Sequence, residues 1–394
     1  MIRKITDGVY NVGAIDWERT LFDEIVDLPQ GTSYNAYIVM GDEKIALIDT
    51  VEPEKAEQLF KNLEELGIEK IDYIISNHAE QDHSGAIPMV MERYPEAKIV
   101  TNAKCKDFEK DLLHLKDDDF IVIKEGDTLS LGGKTLEFIM TPWVHWPETM
   151  STFLREDSIA FTCDFFGSHA ATTHIFAEQY DRIYHEAKRY YAEIMMPFRQ
   201  IIVRNLKKIE EKNPRIIAPS HGPAYSNPDF IINAYKEWIS PDTKNEVLIA
   251  YVSMHGSTKK MVDYLVDSLA KRGIEVKVRN LIHSNLGEIA IDLVDVTTVV
   301  IATPTMLAGP HPSAVYLAYL VNALKPKVKV IGIMGSYGWG GRTVDILKSN
   351  LGSLKAELLE PLLIKGLPKE EDYKKIDEFA ENIAEKHRDL GVLK

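Results

Sequence analysis

The sequence predicts an α/β protein built as two successive halves. Three observations carry this. Apolar strand patterns alternate with helical ones along most of the 394 residues. Four metal-capable side chains crowd into His78–His83, directly after the apolar run Ile71–Ile75, at the mouth of a strand where α/β folds usually place their chemistry. From Glu246 onward the alternation becomes regular, and loops rich in Gly, Ser and Thr follow three strands, as a doubly wound parallel sheet requires for a nucleotide site.

Residues 8–50 read as short strands with Gly turns. Pro53–Leu66 reads as an amphipathic helix, with Pro53 in its first turn and Gly67 at its C-terminal cap. Ile71–Ile75 reads as a buried strand, and Ser84-Gly85 opens the next helical pattern. Leu136–Met140, Ser158–Cys163 and Ile216–Ser220 are further strands, the last flanked by helices Ile201–Lys212 and Pro228–Trp238. The polar stretch Ser240–Asn245 reads as a linker, which sets domains at 1–245 and 246–394. Beyond it come strand Glu246–Val252, helix Lys259–Arg272, and strands Glu275–Leu281, Thr298–Ala302, Val328–Met334 and Leu358–Ile364. Lys369–His387 reads as a charged helix with a solvated outer face. Asp117–Asp119 reads as an exposed turn, and no repeat or low-complexity tract interrupts the chain.

Composition narrows the function classes. A hydrophobic content of 45% supplies ample core, and a formal charge of −14 argues against nucleic acid as a partner. The start lacks a signal-peptide core, and no run nears the ~18 apolar residues of a spanning helix. A cytoplasmic protein without a membrane partner is expected. Only two cysteines occur, Cys105 and Cys163, and no Cys-x-x-Cys pair that would mark a fused iron–sulfur module. Both read as buried apolar thiols. Strand alternation points Cys163 to the face opposite its neighbour Asp164.

The cluster in His78–His83 comprises His78, Glu80, Asp82 and His83. Three more candidate ligands, His145, Asp164 and His221, each follow an apolar strand. A lone His or Asp in such a place is usually a turn residue; three of them behind a dense four-ligand turn form a pattern. That pattern resembles the metallo-β-lactamase superfamily, with its His-x-His-x-Asp-His motif followed by His, Asp and His around two metals. The resemblance implies an αββα sandwich. Glu80 stands where the hydrolases usually carry His. Imidazole-rich sites suit zinc, whereas added carboxylates suit harder, redox-active iron or manganese and offset the charge of a ferric ion.

In the second half, Ser253, Met254, His255, Gly256, Ser257 and Thr258 form a strand-to-helix loop able to surround a phosphate, with the helix N-terminus adding its dipole. Thr303, Pro304, Thr305, Met306, Ala308 and Gly309 follow the next such strand. Ser336, Tyr337, Gly338, Trp339 and Gly340 follow a third, where Tyr337 or Trp339 could stack on a flat ring. The set resembles flavodoxin, with departures at Ser257 and at Leu307-Ala308, where related domains often carry Asn.

The two halves together resemble the flavodiiron proteins over essentially the whole chain, most specifically at His78–His83, His145–Glu148, Asp164–Gly167 and Gly335–Gly341. The resemblance implies two irons and one FMN per chain. One iron takes His78, Glu80 and His145, the other takes Asp82, His83 and His221, and Asp164 bridges them. It further implies reduction of dioxygen to water, of nitric oxide to nitrous oxide, or both, and an external electron donor such as rubredoxin. It also implies a homodimer or a dimer of dimers.

His169 is expected to line the pocket as a catalytic proton donor, and His174 less so. His114, His185, His283 and His387 are expected at the surface or in structural roles. His255 is expected to act through its backbone, His311 to edge the flavin or the dimer contact, and Trp143 and Trp146 to form walls. Two other readings stand beside the reductase. One is a zinc-dependent hydrolase with an appended flavodoxin domain; the other is a non-catalytic electron carrier or gas sensor.

Overall fold

A computed structural model describes residues 1–394, which divide into two units, Met1–Ile239 and Ser240–Lys394. Each contains its own sheet system.

The first unit is an αββα sandwich. One sheet has seven strands in the order Arg3–Thr6, Val9–Asn11, Tyr37–Met40, Ile45–Ile48, Tyr73–Ile75, Lys98–Asn102 and Phe120–Ile123. The other has five, in the order Thr128–Ser130, Thr135–Met140, Met150–Leu154, Ile159–Cys163 and Ile216–Pro219. Strand alternation sorts the core into two layers. Tyr37, Val39, Ile48, Ile75 and Val100 point to the facing sheet and pack on Leu136, Phe138, Met150 and Phe161. Their neighbours Ile38, Leu47, Ile74 and Ile99 point outward and pack on Leu59, Leu63, Ile87 and Val90 of the covering helices. Helix Arg199–Glu211 lies over the second sheet, where Asn205 donates to Pro142 O at 2.9 Å and Lys208 to Met140 O at 2.7 Å.

The second unit has a parallel sheet in the order Glu275–Asn280, Lys244–Tyr251, Val296–Met306 and Val330–Tyr337, completed by the short Glu357–Leu358 and Leu362–Lys365. In chain order this is two-one-three-four-five, the doubly wound arrangement whose ligand crevice lies at the carboxyl ends of the strands. Met261, Leu265 and Leu269 of helix Ser257–Lys271 share its core with Ile376, Phe379 and Ile383 of helix Glu370–Asp389. No helix is long and apolar enough to cross a membrane.

Several sequence expectations shift for physical reasons. The last strand is split, because Pro361 interrupts it and has no N–H to give to the ladder. The strand expected to stop at Ala302 continues to Met306, turns at Leu307-Ala308 and returns as Gly309–Pro310. Both turn residues are left-handed, φ 50° and 61°, as a two-residue primed hairpin demands. The helix expected from Ser84-Gly85 instead starts inside the ligand motif as Gln81–Ser84, and a second one runs Ile87–Arg93.

His387 is wholly buried and structural. Its Nε2 pairs with Thr298 Oγ1 and its Nδ1 with Asn245 Oδ1, each at 2.8 Å. Burial lowers its basicity to a pKa of about 4 from 6.5. The unfolded chain therefore binds more protons between those values, and the second unit loses stability as pH falls through that window. His387→Gln, which keeps hydrogen-bonding capacity without a titrating ring, should flatten the acid limb of thermal stability between about pH 6.5 and 4. An unchanged acid limb by calorimetry would contradict this.

Candidate metal centre and flavin cleft

The seven candidate ligands come from separate loops at one edge of the sandwich, and the fold brings all of them together. After strand Tyr73–Ile75 the chain enters the one-turn helix Gln81–Ser84, which presents Asp82 and His83, while His78 and Glu80 precede it. Trp143, with φ 63°, and the cis Val144–His145 peptide carry the chain to His145 after Thr135–Met140. Asp164 and His221 follow the adjacent parallel strands Ile159–Cys163 and Ile216–Pro219.

The donor atoms fall into two groups around Asp164. Asp164 Oδ2 lies 3.4 Å from both His78 Nε2 and His145 Nε2, and each of these lies 3.1 Å from Glu80 Oε2. Asp164 Oδ1 lies 3.0 Å from His83 Nε2 and 3.3 Å from His221 Nε2, which stand 3.3 and 3.2 Å from Asp82 Oδ2. Donors on one ion with bonds of about 2.1 Å are about 3.0–3.4 Å apart. The spacing therefore fits one metal per group with Asp164 between them. Asp82 Oδ1 and Oδ2 and Asp164 Oδ2 are buried without a hydrogen-bond partner, which is costly unless a cation completes them.

The electrostatics without metal agree. Burial disfavours charge on His145, but hydrogen bonds to Asp164 and Glu80 raise its pKa to about 9. His221 is raised against burial to about 10 by Asp164 and Asp82. Burial would raise the Glu80 and Asp164 carboxyls, yet the surrounding histidines hold both below the usual range. Metal bound at these nitrogens would displace the protons that the carboxylates favour on the imidazoles.

Other side chains aim the ligands. His78 Nδ1 donates to Glu148 Oε1 at 2.6 Å, and His221 Nδ1 to Ser33 O at 2.8 Å, so in each ring Nε2 is left for the metal. Tyr190 donates to Asp164 Oδ1 at 2.8 Å. His169 is buried beside this group, its ring centre 4.9 Å from that of His221 and its Nδ1 2.9 Å from Thr32 Oγ1. Burial and the neighbouring His221 hold its pKa well below normal, and its Nε2 has no partner. Asp23, in a left-handed turn between Leu21–Phe22 and Val26–Asp27, is pushed up to about 6 by partial desolvation and the charges of Glu80, Asp82 and Asp164.

Cys163 corrects an expectation. Its Sγ lies within 4.8 Å of donor atoms of His83 and Asp164, on the same side as the cluster. Alternation fails because Cys163 is left-handed, φ 51°, where the ladder shifts register. His174 is solvent-exposed and pairs with Glu178 at 3.1 Å, away from the ligands. Trp146 packs on His78, with ring centres 5.0 Å apart, and Trp143 stacks on Phe198. His114, His185 and His283 are at the surface.

In the second unit an open cleft of about 480 Å³ lies at the carboxyl ends of the strands. Ser253, Met254, His255, Ser257, Thr258, Pro304, Thr305, Ser336, Tyr337 and Gly338 line it, and so does Gly366, which sequence reasoning missed. Thr303, Met306, Ala308, Gly309, Trp339, Gly340 and Gly256 are not on its wall. Thr303 Oγ1 accepts from His311 N, and His311 caps helix Pro312–Leu324. Ser253 Oγ accepts from Gly256 N and Lys259 N, both at 3.2 Å, and fixes the loop at the start of helix Ser257–Lys271. A Cβ at Gly256 or Gly338 would meet no protein atom within 4 Å. Gly338 leaves open space on the cleft wall, and the start of helix Ser257–Lys271, whose cap residue Gly256 has no side chain of its own, suits a phosphate. The residues fit FMN.

Residues 32–222 match the ODP family beta lactamase and residues 249–379 match flavodoxin. The chain is 38% identical to the nitric oxide reductase of Moorella thermoacetica over 389 residues, covering 96% of this chain and 97% of that one. It superposes on the rubredoxin oxygen:oxidoreductase of Desulfovibrio gigas with a TM-score of 0.95 at 30% identity, over 99% of both chains. For the flavodiiron protein of Giardia intestinalis the TM-score is 0.93 at 26% identity, over 99% of this chain and 97% of that one. A lactamase-like sandwich joined to a flavodoxin-like sheet, matched along its length by such relatives, places this chain in the flavodiiron protein family, with a di-iron centre and FMN as its cofactors.

Proposed function

We propose that this chain reduces dioxygen to water, nitric oxide to nitrous oxide, or both. Its electrons would come from an external carrier of the rubredoxin type and pass through FMN bound in the 246–394 domain. The observation that carries this reading is the division of donors around Asp164. His78, Glu80 and His145 would hold one iron, Asp82, His83 and His221 the other, with Asp164 bridging. Bound there, two irons would supply single electrons and Lewis acidity to a small gas molecule. Glu80 adds an anionic donor where the hydrolases carry His, which favours the oxidised ions and argues against a zinc hydrolase. Tyr190 orients Asp164 through its O–H, and His221 is fixed by Ser33. His169, neutral and buried beside His221, would relay a proton through its ring, with Nδ1 at Thr32 and Nε2 without a partner. Its two free thiols suit a reducing compartment, and we place the protein in the cytoplasm.

Elemental analysis tests the metal. Protein purified anaerobically with iron supplied should hold about two iron atoms per chain, in keeping with two donor groups that each include a carboxylate. Stoichiometric zinc, with iron unable to restore activity, would favour the hydrolase. The flavin half makes its own prediction. The fragment Ser240–Lys394 has its own core and should bind FMN but not FAD or NAD, because its loop is built for one terminal phosphate and lacks a dinucleotide fingerprint. A colourless fragment that leaves FMN fluorescence unquenched would overturn it.

A further inference from the structure

Behind the candidate ligands lies a buried acid with no part in the proposed reduction. Glu109, on helix Ala103–Leu113, has no exposed surface. Ser76 Oγ donates to its Oε1 at 2.5 Å. The other ionisable groups that face it are Asp49, Glu148, His78 and, one turn back on its own helix, Cys105. Asp49 already accepts from Asn77 N and Asn77 Nδ2. Glu148 Oε1 accepts from His78 Nδ1 and from Ala79 N. The second oxygens of both Glu109 and Glu148 are buried with no partner. Two ionised carboxylates so placed would repel each other in a medium that screens poorly, whereas one shared proton satisfies both.

We propose that Glu109 is a positioning residue for the metal ligand His78: as a neutral carboxylic acid it supplies the hydrogen bond that Glu148 Oε2 lacks, directly or through one bridging water, and so holds Glu148 as the acceptor for His78 Nδ1. Burial first, and then the charges of Asp49 and Glu148, push the Glu109 carboxyl up to about 8, against the Ser76 hydrogen bond. The proton is therefore in place at neutral pH and leaves in mild alkali. The consequence for His78 rests on its reading as an iron ligand; the protonation of Glu109 does not. Partners that orient a ligating imidazole typically matter about 10–100-fold in metal affinity.

The sign with pH follows from the raised value. Between 4.5 and about 8 the folded chain holds a proton at Glu109 that the unfolded chain has lost, so stability falls as pH rises through that window.

Infrared spectroscopy of the metal-free full chain tests the proton. A buried carboxylic-acid band should appear at neutral pH, shift in heavy water, fade above about pH 8 and be missing from Glu109→Gln. Competition with an iron chelator tests the positioning. Glu109→Gln retains an N–H donor and should bind iron as tightly as the parent, without the parent's weakening in alkali. Glu109→Leu should lose about 10-fold or more. No acid band at neutral pH, or undiminished iron affinity in Glu109→Leu, would overturn the proposal. If Glu109→Leu does not fold, the band and the alkaline profile of Glu109→Gln decide. A parent chain that takes zinc but no iron would fail the di-iron reading while leaving the band to judge Glu109.

Discussion

Asp164→Ala should lose nearly all bound iron, whereas His145→Ala should keep about one ion per chain. Asp164 is the one side chain with an oxygen in each donor group, Oδ2 toward His78 and His145 and Oδ1 toward His83 and His221. Removing it takes an anionic ligand from both ions and leaves the buried Tyr190 hydroxyl without its acceptor. His145 belongs to one group and is the more exposed ligand, with 14% of its side chain accessible. Its loss leaves Asp82, His83, His221 and Asp164 intact. Iron per chain, measured after passage through a chelating column, separates the two. Equal retention in both variants would mean that Asp164 does not bridge.

The second large effect concerns assembly. The family resemblance implies that the flavin of one chain serves the irons of another, because electron tunnelling weakens steeply with distance. A two-fold pairing would supply this twice, since each subunit presents the same two surfaces. We expect a homodimer with composite sites. A metal-dead chain, His78→Ala with Asp164→Ala, co-expressed with a flavin-dead chain altered at Gly256 and Thr258, should recover part of the activity that neither variant shows alone. One of the two sites in such a heterodimer pairs an intact flavin cleft with an intact ligand set. No rescue in verified heterodimers, or full activity from a dilute monomer, would favour transfer within one chain.

The candidate ligand cluster is legible in the sequence because strand ends announce themselves. Apolar runs stop, and His78–His83, His145, Asp164 and His221 follow directly. The residues that aim those ligands were much harder to find. Glu148 reaches His78 across 70 positions, Tyr190 reaches Asp164 across 26, and Ser33 reaches His221 across 188. Tyr190 lies in an amphipathic helix where it looks like any core aromatic, and Ser33 acts through its backbone carbonyl, which no residue type reveals. Cys163 departs from the expected face because period-two alternation holds only while φ stays extended. Its left-handed backbone returns the thiol to the ligand side. In the second half the strand order followed from regular alternation. The hairpin at Leu307-Ala308 did not, since neither residue is a usual left-handed one. Gly366 joined the cleft from a short final strand whose break at Pro361 blurred its end.

An iron pair fed by FMN is expected to reduce a diatomic gas. The most direct test is the steady-state consumption of dioxygen and of nitric oxide, measured separately by electrode with chemically reduced protein. Preparations loaded with iron and with zinc should be compared, each with and without FMN. Rapid consumption of at least one gas is expected from the preparation holding both iron and FMN, and near-background rates when zinc replaces iron. Iron-replete, FMN-replete protein that consumes neither gas, or a zinc-loaded chain that matches its rate, would contradict it.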